Sequence, residues 1–126
     1  MQPDRVLVMG AASRRTESLC VLLRALQGVE CVAQAEDTTA ASQAITAFRP
    51  SVVLVDVGLP GAQGLALLER IAAECPSIAR IALVGSDEQA QAARASGATS
   101  VLWVPTTLDR LAVGLHETYT QCEAAI

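Results

Sequence analysis

A chain of 126 residues is long enough to form one domain with an ordinary hydrophobic core. Its formal net charge of -4 and its isoelectric point near 4.8 argue against a nucleic-acid-binding surface, which would carry a basic stripe. All 9 basic residues are arginines, which excludes any chemistry that requires a lysine.

The sequence carries no signal for a membrane or for a metal site. No segment has the roughly 18 consecutive apolar residues of a membrane span, and the N-terminal apolar stretch is too short for a secretory signal peptide. The cysteines at positions 20, 31, 75 and 122 match no zinc-binding spacing. We therefore expect a cytoplasmic protein with reduced thiols that binds neither membranes nor nucleic acid directly.

Apolar runs alternate with helical periodicity along the whole chain. Five short runs predict strands at residues 6–9, 29–35, 52–55, 81–84 and 101–104. Four stripes between and after them have the spacing of a helix face: Leu19, Leu22, Leu23 and Leu26; Ala41, Ala44, Ile45 and Phe48; Leu65, Leu68, Ile71 and Ala72; and Leu108, Leu111, Ala112 and Leu115. Continuous apolar runs indicate strands buried on both faces, as in a parallel sheet covered by helices.

Capping residues agree with these elements. Polar residues that can cap a helix precede four of the predicted helices: Ser13, Asp37, Ser86 and Thr106. Gln89 completes a capping box with Ser86, because the two are three residues apart. Gly28 is predicted to end the first helix.

The polarity of the strands predicts their order. Glu30 and Gln34 make the second strand partly polar, which favours an edge position, whereas the uniformly apolar first and third strands suit the centre. Strict alternation of strands and helices predicts five βα units around a parallel sheet with right-handed crossovers. We therefore predict an α/β fold in which residues 1–126 form a single domain. Its five-stranded parallel sheet has the order 2-1-3-4-5 in a doubly wound (βα)5 arrangement.

Asp56 is the main candidate for a functional residue. It ends the third apolar run and is followed by the turn-forming segment Val57-Gly58-Leu59-Pro60-Gly61. In open parallel sheets, ligands and chemistry gather just beyond the carboxyl ends of the strands. Asp56 is therefore expected at the functional edge of the sheet.

The segment from Asp56 to Gly64 resembles the phosphoacceptor segment of response-regulator receiver domains of two-component systems. Gly97-Ala98 before the fifth strand and Pro105 after it also match that family, and the resemblance covers the chain from about Arg5 to Tyr119. It implies a CheY-like, flavodoxin-like fold with Asp56 as the phosphoacceptor.

The sequence departs from the family at the residues that surround the phosphoacceptor. Two adjacent acids normally follow the first strand and hold Mg²⁺, but here Gly10 and Ala11 stand at these positions. The hydroxyl residue that ends the fourth strand in the family is replaced by Gly85. Ser86 could substitute for it only if the register shifted by one residue.

Two further positions on the fifth strand have also changed. The family's lysine is replaced by Val104 and its aromatic switch residue by Val101. Phosphoryl transfer depends on positioning and charge stabilisation, and Mg²⁺ needs carboxylate ligands in strict geometry. We therefore predict a degenerate receiver with no metal, no cofactor and no catalytic residues. At most, Asp56 would support slow autophosphotransfer.

The resulting interpretation is a receiver-type module of a phosphorelay that acts mainly by protein–protein contact, with a sensor kinase or another signalling protein as its partner. The fourth helix, fifth strand and fifth helix are the predicted interface, which could also support a homodimer. Trp103, Ala93 and Arg94 are its candidate residues. We expect Trp103 to pack at the margin of the fifth strand; an exposed Trp103 would instead mark a binding hot spot.

Two alternatives stay open. The first is an ordinary receiver phosphorylated on Asp56 by a sensor histidine kinase, as the N-terminal part of a DNA-binding transcriptional regulator. Residues 28–35 resemble receivers of regulators with a helix-turn-helix output domain. The second is a flavodoxin-like binder of a small anionic ligand at the segment from Gly10 to Thr16, where Arg14 and Arg15 lie near a helix N-terminus. That segment lacks both the G-x-G-x-x-G pattern and the Gly-Lys pair of phosphate loops.

Overall fold

The computed structural model of the chain describes residues 4–104 and Arg110. Within these residues the strands are β1 (Asp4–Met9), β2 (Val29–Ala35), β3 (Val52–Asp56), β4 (Ala79–Val84) and β5 (Ser100–Trp103). The helices are α1 (Arg14–Ala25), α2 (Thr38–Phe48), α3 (Gln63–Glu74) and α4 (Asp87–Ala95), with a 3₁₀ turn at Pro60–Ala62. Across this part of the chain, no helix has the length and apolar character needed to cross a bilayer.

The predicted fold class is confirmed. All neighbouring strands pair in parallel, and the sheet has the order β2-β1-β3-β4-β5. The partly polar β2 lies at one edge, and β1 and β3 lie beside each other in the interior. The predicted fifth helix, with Thr106 as its cap, lies outside the described residues.

Three strands begin earlier than the apolar runs predicted, β1 and β4 by two residues and β5 by one, because the added segments contain polar residues. The Arg5 guanidinium in β1 donates a hydrogen bond from Nε to the Phe48 carbonyl oxygen at 2.8 Å. In β4, Arg80 is only 9% exposed, and its Nε donates to the Gly97 carbonyl oxygen at 2.7 Å. Hydropathy alone cannot detect a strand residue whose polar side chain is satisfied by carbonyl oxygens at a helix end, such as Phe48, or in a loop, such as Gly97.

The predicted N-caps at Ser13, Asp37 and Ser86 form, with one correction at a helix end. Ser13 Oγ accepts a hydrogen bond from the Thr16 backbone N–H, and Asp37 Oδ1 accepts one from the Ala40 N–H. However, α1 ends at Ala25, so Gly28 does not end it directly. Gly28 has a φ of 90° and lies in the turn that leads into β2.

The core has two layers because successive strand side chains point to opposite faces of the sheet. On one face, Leu7, Val53 and Val55 are fully buried beneath α2, α3 and α4. On the other face, Leu54 and Ile81 are buried beneath α1. The sheet is therefore covered on both sides, and its carboxyl edge presents the candidate site.

Candidate functional site

Asp56 ends the central strand β3, and both of its carboxylate oxygens have partners within the chain. Oδ1 accepts a hydrogen bond from the Gly58 backbone N–H at 2.8 Å. Oδ2 lies 3.3 Å from Nη2 of Arg15 and forms an ion pair with it. The Asp56 side chain is 19% exposed and that of Arg15 is 60% exposed. The carboxylate is therefore partly sheltered, and a largely exposed guanidinium lies beside it.

The fold brings Arg15 to Asp56 through a close approach at Gly10. Arg15 lies in the first turn of α1, directly before the buried Thr16. A Cβ atom added to Gly10 would lie 3.0 Å from Oγ1 of Thr16 and 3.8 Å from Cβ of Asp56. The absence of a side chain at Gly10 thus allows the start of α1 to pack close to the end of β3.

The Arg15–Asp56 ion pair was not predicted from the sequence, which assigned Arg15 only to a possible anion site. The two residues are 41 positions apart, so no local pattern relates them. Since Arg15 is largely exposed, the pair stabilises the fold by at most about 1 kcal/mol. Its chemical consequence is that a positive charge faces the Asp56 carboxylate.

The predicted pocket positions Gly85 and Ser86 lie between β4 and α4. Ser86 caps α4, because its Oγ accepts the Gln89 backbone N–H at 3.2 Å. In a capping box, the Gln89 side chain would accept a hydrogen bond from the Ser86 backbone N–H. Here Oε1 of Gln89 instead accepts one from the Gly85 N–H at 2.8 Å. Nε2 of Gln89 lies 3.9 Å from the position of a Cβ on Gly58, so this amide borders the Asp56 loop. Gln89 is a site neighbour that the sequence did not indicate.

The positions predicted to have lost the lysine and the aromatic switch lie on or directly after β5. Val101 is half-buried and packs against the core layer beneath α2, α3 and α4. Val104 is also half-buried, and its N–H donates to the Val84 carbonyl oxygen at 3.0 Å. Ala11, at the second position of the lost acid pair, is exposed. None of these side chains brings a charge to Asp56.

The structure corrects two predictions about the interface. Trp103 is 42% exposed, so the expectation that it packs at the strand margin is wrong. Ala93 is fully buried and cannot offer its side chain to a partner, because Ala90 and Ala93 form the face of α4 that packs on the sheet. Arg94 is exposed, as a contact residue must be.

The side chains around Asp56 do not fit a divalent cation. Mg²⁺ requires oxygen ligands in near-octahedral geometry and is usually held by one or two carboxylates together with phosphate oxygens. Among residues 4–104 and Arg110, no group of three or more His, Cys, Asp or Glu side chains could hold a metal. The nearest charged neighbour of Asp56 Oδ2 is a guanidinium, which repels a cation.

A five-stranded parallel sheet of order 2-1-3-4-5, with a carboxylate at the end of its third strand, defines the CheY-like class of flavodoxin-like folds. Residues 7–115 match the response regulator receiver domain, and the chain belongs to that family. Receiver domains of two-component systems interact with kinases and other signalling proteins.

Curated relatives include two enzymes of one kind. The chain is 31% identical over 111 residues to protein-glutamate methylesterase/protein-glutamine glutaminase 5 of Myxococcus xanthus, a match that covers 86% of the chain and 32% of that protein. It is 38% identical over 76 residues to protein-glutamate methylesterase/protein-glutamine glutaminase 2 of Anaeromyxobacter dehalogenans, covering 60% and 22%. The chain thus spans about a third or less of the length of these relatives.

Solved structures share the fold. The signal receiver domain of a modulated diguanylate cyclase from Desulfovibrio desulfuricans superposes with a TM-score of 0.86 at 22% identity, over 99% of this chain and 100% of that one. A CheY-like receiver domain protein from Methanospirillum hungatei gives 0.83 at 20% identity, with the same coverage. A putative response regulator from Chloroflexus aurantiacus gives 0.84 at 24% identity, over 94% and 99%.

Proposed function

We propose that this receiver domain is a non-enzymatic signalling module of a two-component system that acts in the cytoplasm by protein contact, without Mg²⁺-dependent phosphorylation. The observation that carries the proposal is the ion pair between Arg15 and Asp56, with 3.3 Å between Nη2 and Oδ2. The guanidinium puts a positive charge beside the carboxylate, which disfavours the approach of a metal ion.

The chemistry of phosphoryl transfer supports this proposal. Catalysis of that reaction depends on positioned charges that stabilise the transferring group. Loss of one such preorganised group commonly lowers a rate by about 10²–10³. Here the acid pair, the lysine and the hydroxyl at position 85 are replaced by residues without charge or hydroxyl. Both oxygens of Asp56 also have partners already, so attack on a phosphodonor through Oδ2 would require Arg15 to move away from it.

Exposed side chains on β5 and α4 support signalling by protein contact. A tryptophan with 42% of its surface exposed is a common anchor in protein interfaces, where aromatic and arginine side chains dominate the binding energy. Arg94 on α4 is also exposed. In the proposal, Trp103 and Arg94 contact a sensor kinase, another signalling protein or a second copy of this chain. The part of this surface predicted for the fifth helix lies outside the described residues.

Incubation with acetyl phosphate and Mg²⁺ is expected to leave the intact mass of the protein unchanged. Asp56 lacks the groups that would bring the metal and the phosphodonor together, so transfer should not compete with donor hydrolysis. A receiver domain with both acids after its first strand serves as the positive control in the same mixture. An added phosphoryl group that disappears in Asp56→Asn would support the alternative of an ordinary receiver and overturn the proposal.

Millimolar Mg²⁺ is expected to leave the melting temperature unchanged, since a ligand stabilises a protein only if the folded state binds it. Differential scanning fluorimetry with and without Mg²⁺ measures this directly. NaCl at the same ionic strength controls for salt screening, since Na⁺ provides screening without divalent coordination. A stabilisation by Mg²⁺ that Asp56→Asn abolishes would contradict the proposed absence of a metal site.

A further inference from the structure

A mostly apolar cavity of about 120 Å³ lies between α1 and the carboxyl ends of β1 and β4. Its apolar walls include five aliphatic side chains: Val8, Leu19, Leu22, Leu83 and Val104. Dry apolar cavities of roughly 150 Å³ in proteins hold a molecule of the size of benzene. This cavity therefore has room for a branched aliphatic group of about four carbon atoms.

The polar end of the cavity carries one charge of each sign. Among the described residues that line it, Arg15 and Asp56 are the charged ones, and they are paired across 3.3 Å. A ligand with only a negative charge would be repelled by the Asp56 carboxylate beside Arg15. A ligand with only a positive charge would be repelled by the Arg15 guanidinium. A ligand that carries a carboxylate next to an ammonium group could satisfy both residues at once.

The exposure of Arg15 would allow a ligand to replace its guanidinium on Asp56. The Arg15 side chain is 60% exposed, so it can turn toward solvent without losing much packing. That movement would free Oδ2 of Asp56, whereas Oδ1 would keep its hydrogen bond from the Gly58 N–H. The ammonium group of the ligand could then take the place of the guanidinium, and the ligand carboxylate could bind Arg15 in its new position.

We propose that this cavity binds a free α-amino acid with a branched aliphatic side chain. The side chain enters the apolar cavity, the ammonium group binds Asp56, and the carboxylate binds Arg15. The proposal rests on the proposed function, because a metal ion or phosphoryl group on Asp56 would occupy the place of the ammonium group. Such a ligand would give the domain an input that needs no phosphorylation.

Calorimetric titration with three probes that share one branched chain tests the charge requirement. L-Leucine carries both charges, 4-methylpentanoate lacks the ammonium group, and 3-methylbutylamine lacks the carboxylate. We expect leucine to bind at least about 10-fold more tightly than either, which is a difference of about 1.4 kcal/mol. Across alanine, 2-aminobutyrate and norvaline, affinity should rise about fourfold for each added methylene, as burial in an apolar cavity requires. Equal affinities for the three branched probes, or no binding of leucine at millimolar concentration, would overturn the proposal.

Two matched pairs of variants locate the bound leucine. Arg15→Gln should weaken leucine binding by about 10-fold, whereas Arg14→Gln, which changes an exposed neighbour that does not line the cavity, should leave it unchanged. Ser18→Phe should block the cavity from its exposed edge, whereas Val21→Phe, on the same helix but away from the cavity, should not. Leucine binding that survives both Arg15→Gln and Ser18→Phe would place the ligand elsewhere and overturn the inference.

The outcomes also separate this inference from the proposed function. Phosphorylation is read from the intact mass after acetyl phosphate treatment, and leucine binding from the heat of titration without any phosphodonor. An unmodified Asp56 together with an absence of leucine binding would overturn only the ligand proposal. A phosphorylated Asp56 would overturn the proposed function whatever the titration gave.

Discussion

Replacing Leu54 with alanine is expected to lower the free energy of unfolding by about 2–5 kcal/mol, the usual range for a buried leucine. Leu54 is fully buried in the middle of β3, where it packs in the core layer beneath α1. The loss combines the transfer free energy of the removed carbons with the cost of the cavity they leave. Because Leu54 is two residues before Asp56, the same change should also loosen the strand that carries the candidate site.

Urea denaturation followed by circular dichroism measures the effect of Leu54→Ala. The control is Val21→Ala, which removes carbons from a side chain that is 62% exposed and should change stability by at most about 0.5 kcal/mol. The slope of free energy against denaturant should stay the same if both variants unfold in two states. A loss for Leu54→Ala no larger than that of the control would show that this core layer can collapse around the missing side chain.

Gly64→Ala is expected to destabilise the protein by about 1–2 kcal/mol, even though alanine is the better helix former. A Cβ at this position would lie 2.7 Å from the carbonyl oxygen of Asp56 and 3.2 Å from Cα of Val57. These are backbone atoms of β3 and the following loop, so they cannot move aside as a flexible side chain could. The start of α3 would have to shift away from the strand that positions Asp56.

Gly85→Ala is the matched control for Gly64→Ala. Both changes reduce the conformational entropy of the unfolded chain in the same way. At Gly85, however, the nearest atom to an added Cβ is Oε1 of Gln89 at 3.8 Å, an ordinary contact, and the glycine has no positive φ. Its stability should therefore stay within about 0.5 kcal/mol of the parent. Thermal unfolding of the two variants gives the comparison, and Gly64→Ala should have the lower melting temperature. Equal melting temperatures would show that the backbone around Gly64 accommodates the added Cβ without loss of stability.

Local patterns predicted the framework of this protein correctly. The five apolar runs located the five strands, and the helix-capping side chains of Ser13, Asp37 and Ser86 formed the expected caps. The polar residues of β2 indicated an edge strand and the apolar first and third strands indicated central ones, and the observed strand order agrees with both. These predictions held because burial and capping act on residues that are close together in the sequence.

Side-chain exposure was harder to predict from the sequence. Ala93 and Arg94 are neighbours in α4, yet the first faces the sheet and the second faces solvent. Alanines recur so often in this helix that its apolar stripe did not define which face is buried. Trp103 is large and apolar, but β5 is an edge strand, and its position there leaves 42% of the side chain exposed.

The sequence by itself determined that Asp56 ends a buried central strand, that no lysine is available to it, and that uncharged residues follow the first strand. Only the tertiary structure decided what faces that carboxylate. Arg15 is brought to Asp56, and Gln89 to the loop after it, because separate helices begin at the same edge of the sheet. These contacts depend on how closely α1 and α4 pack on the strands. That packing involves residues far apart in the sequence, so no local pattern predicts it.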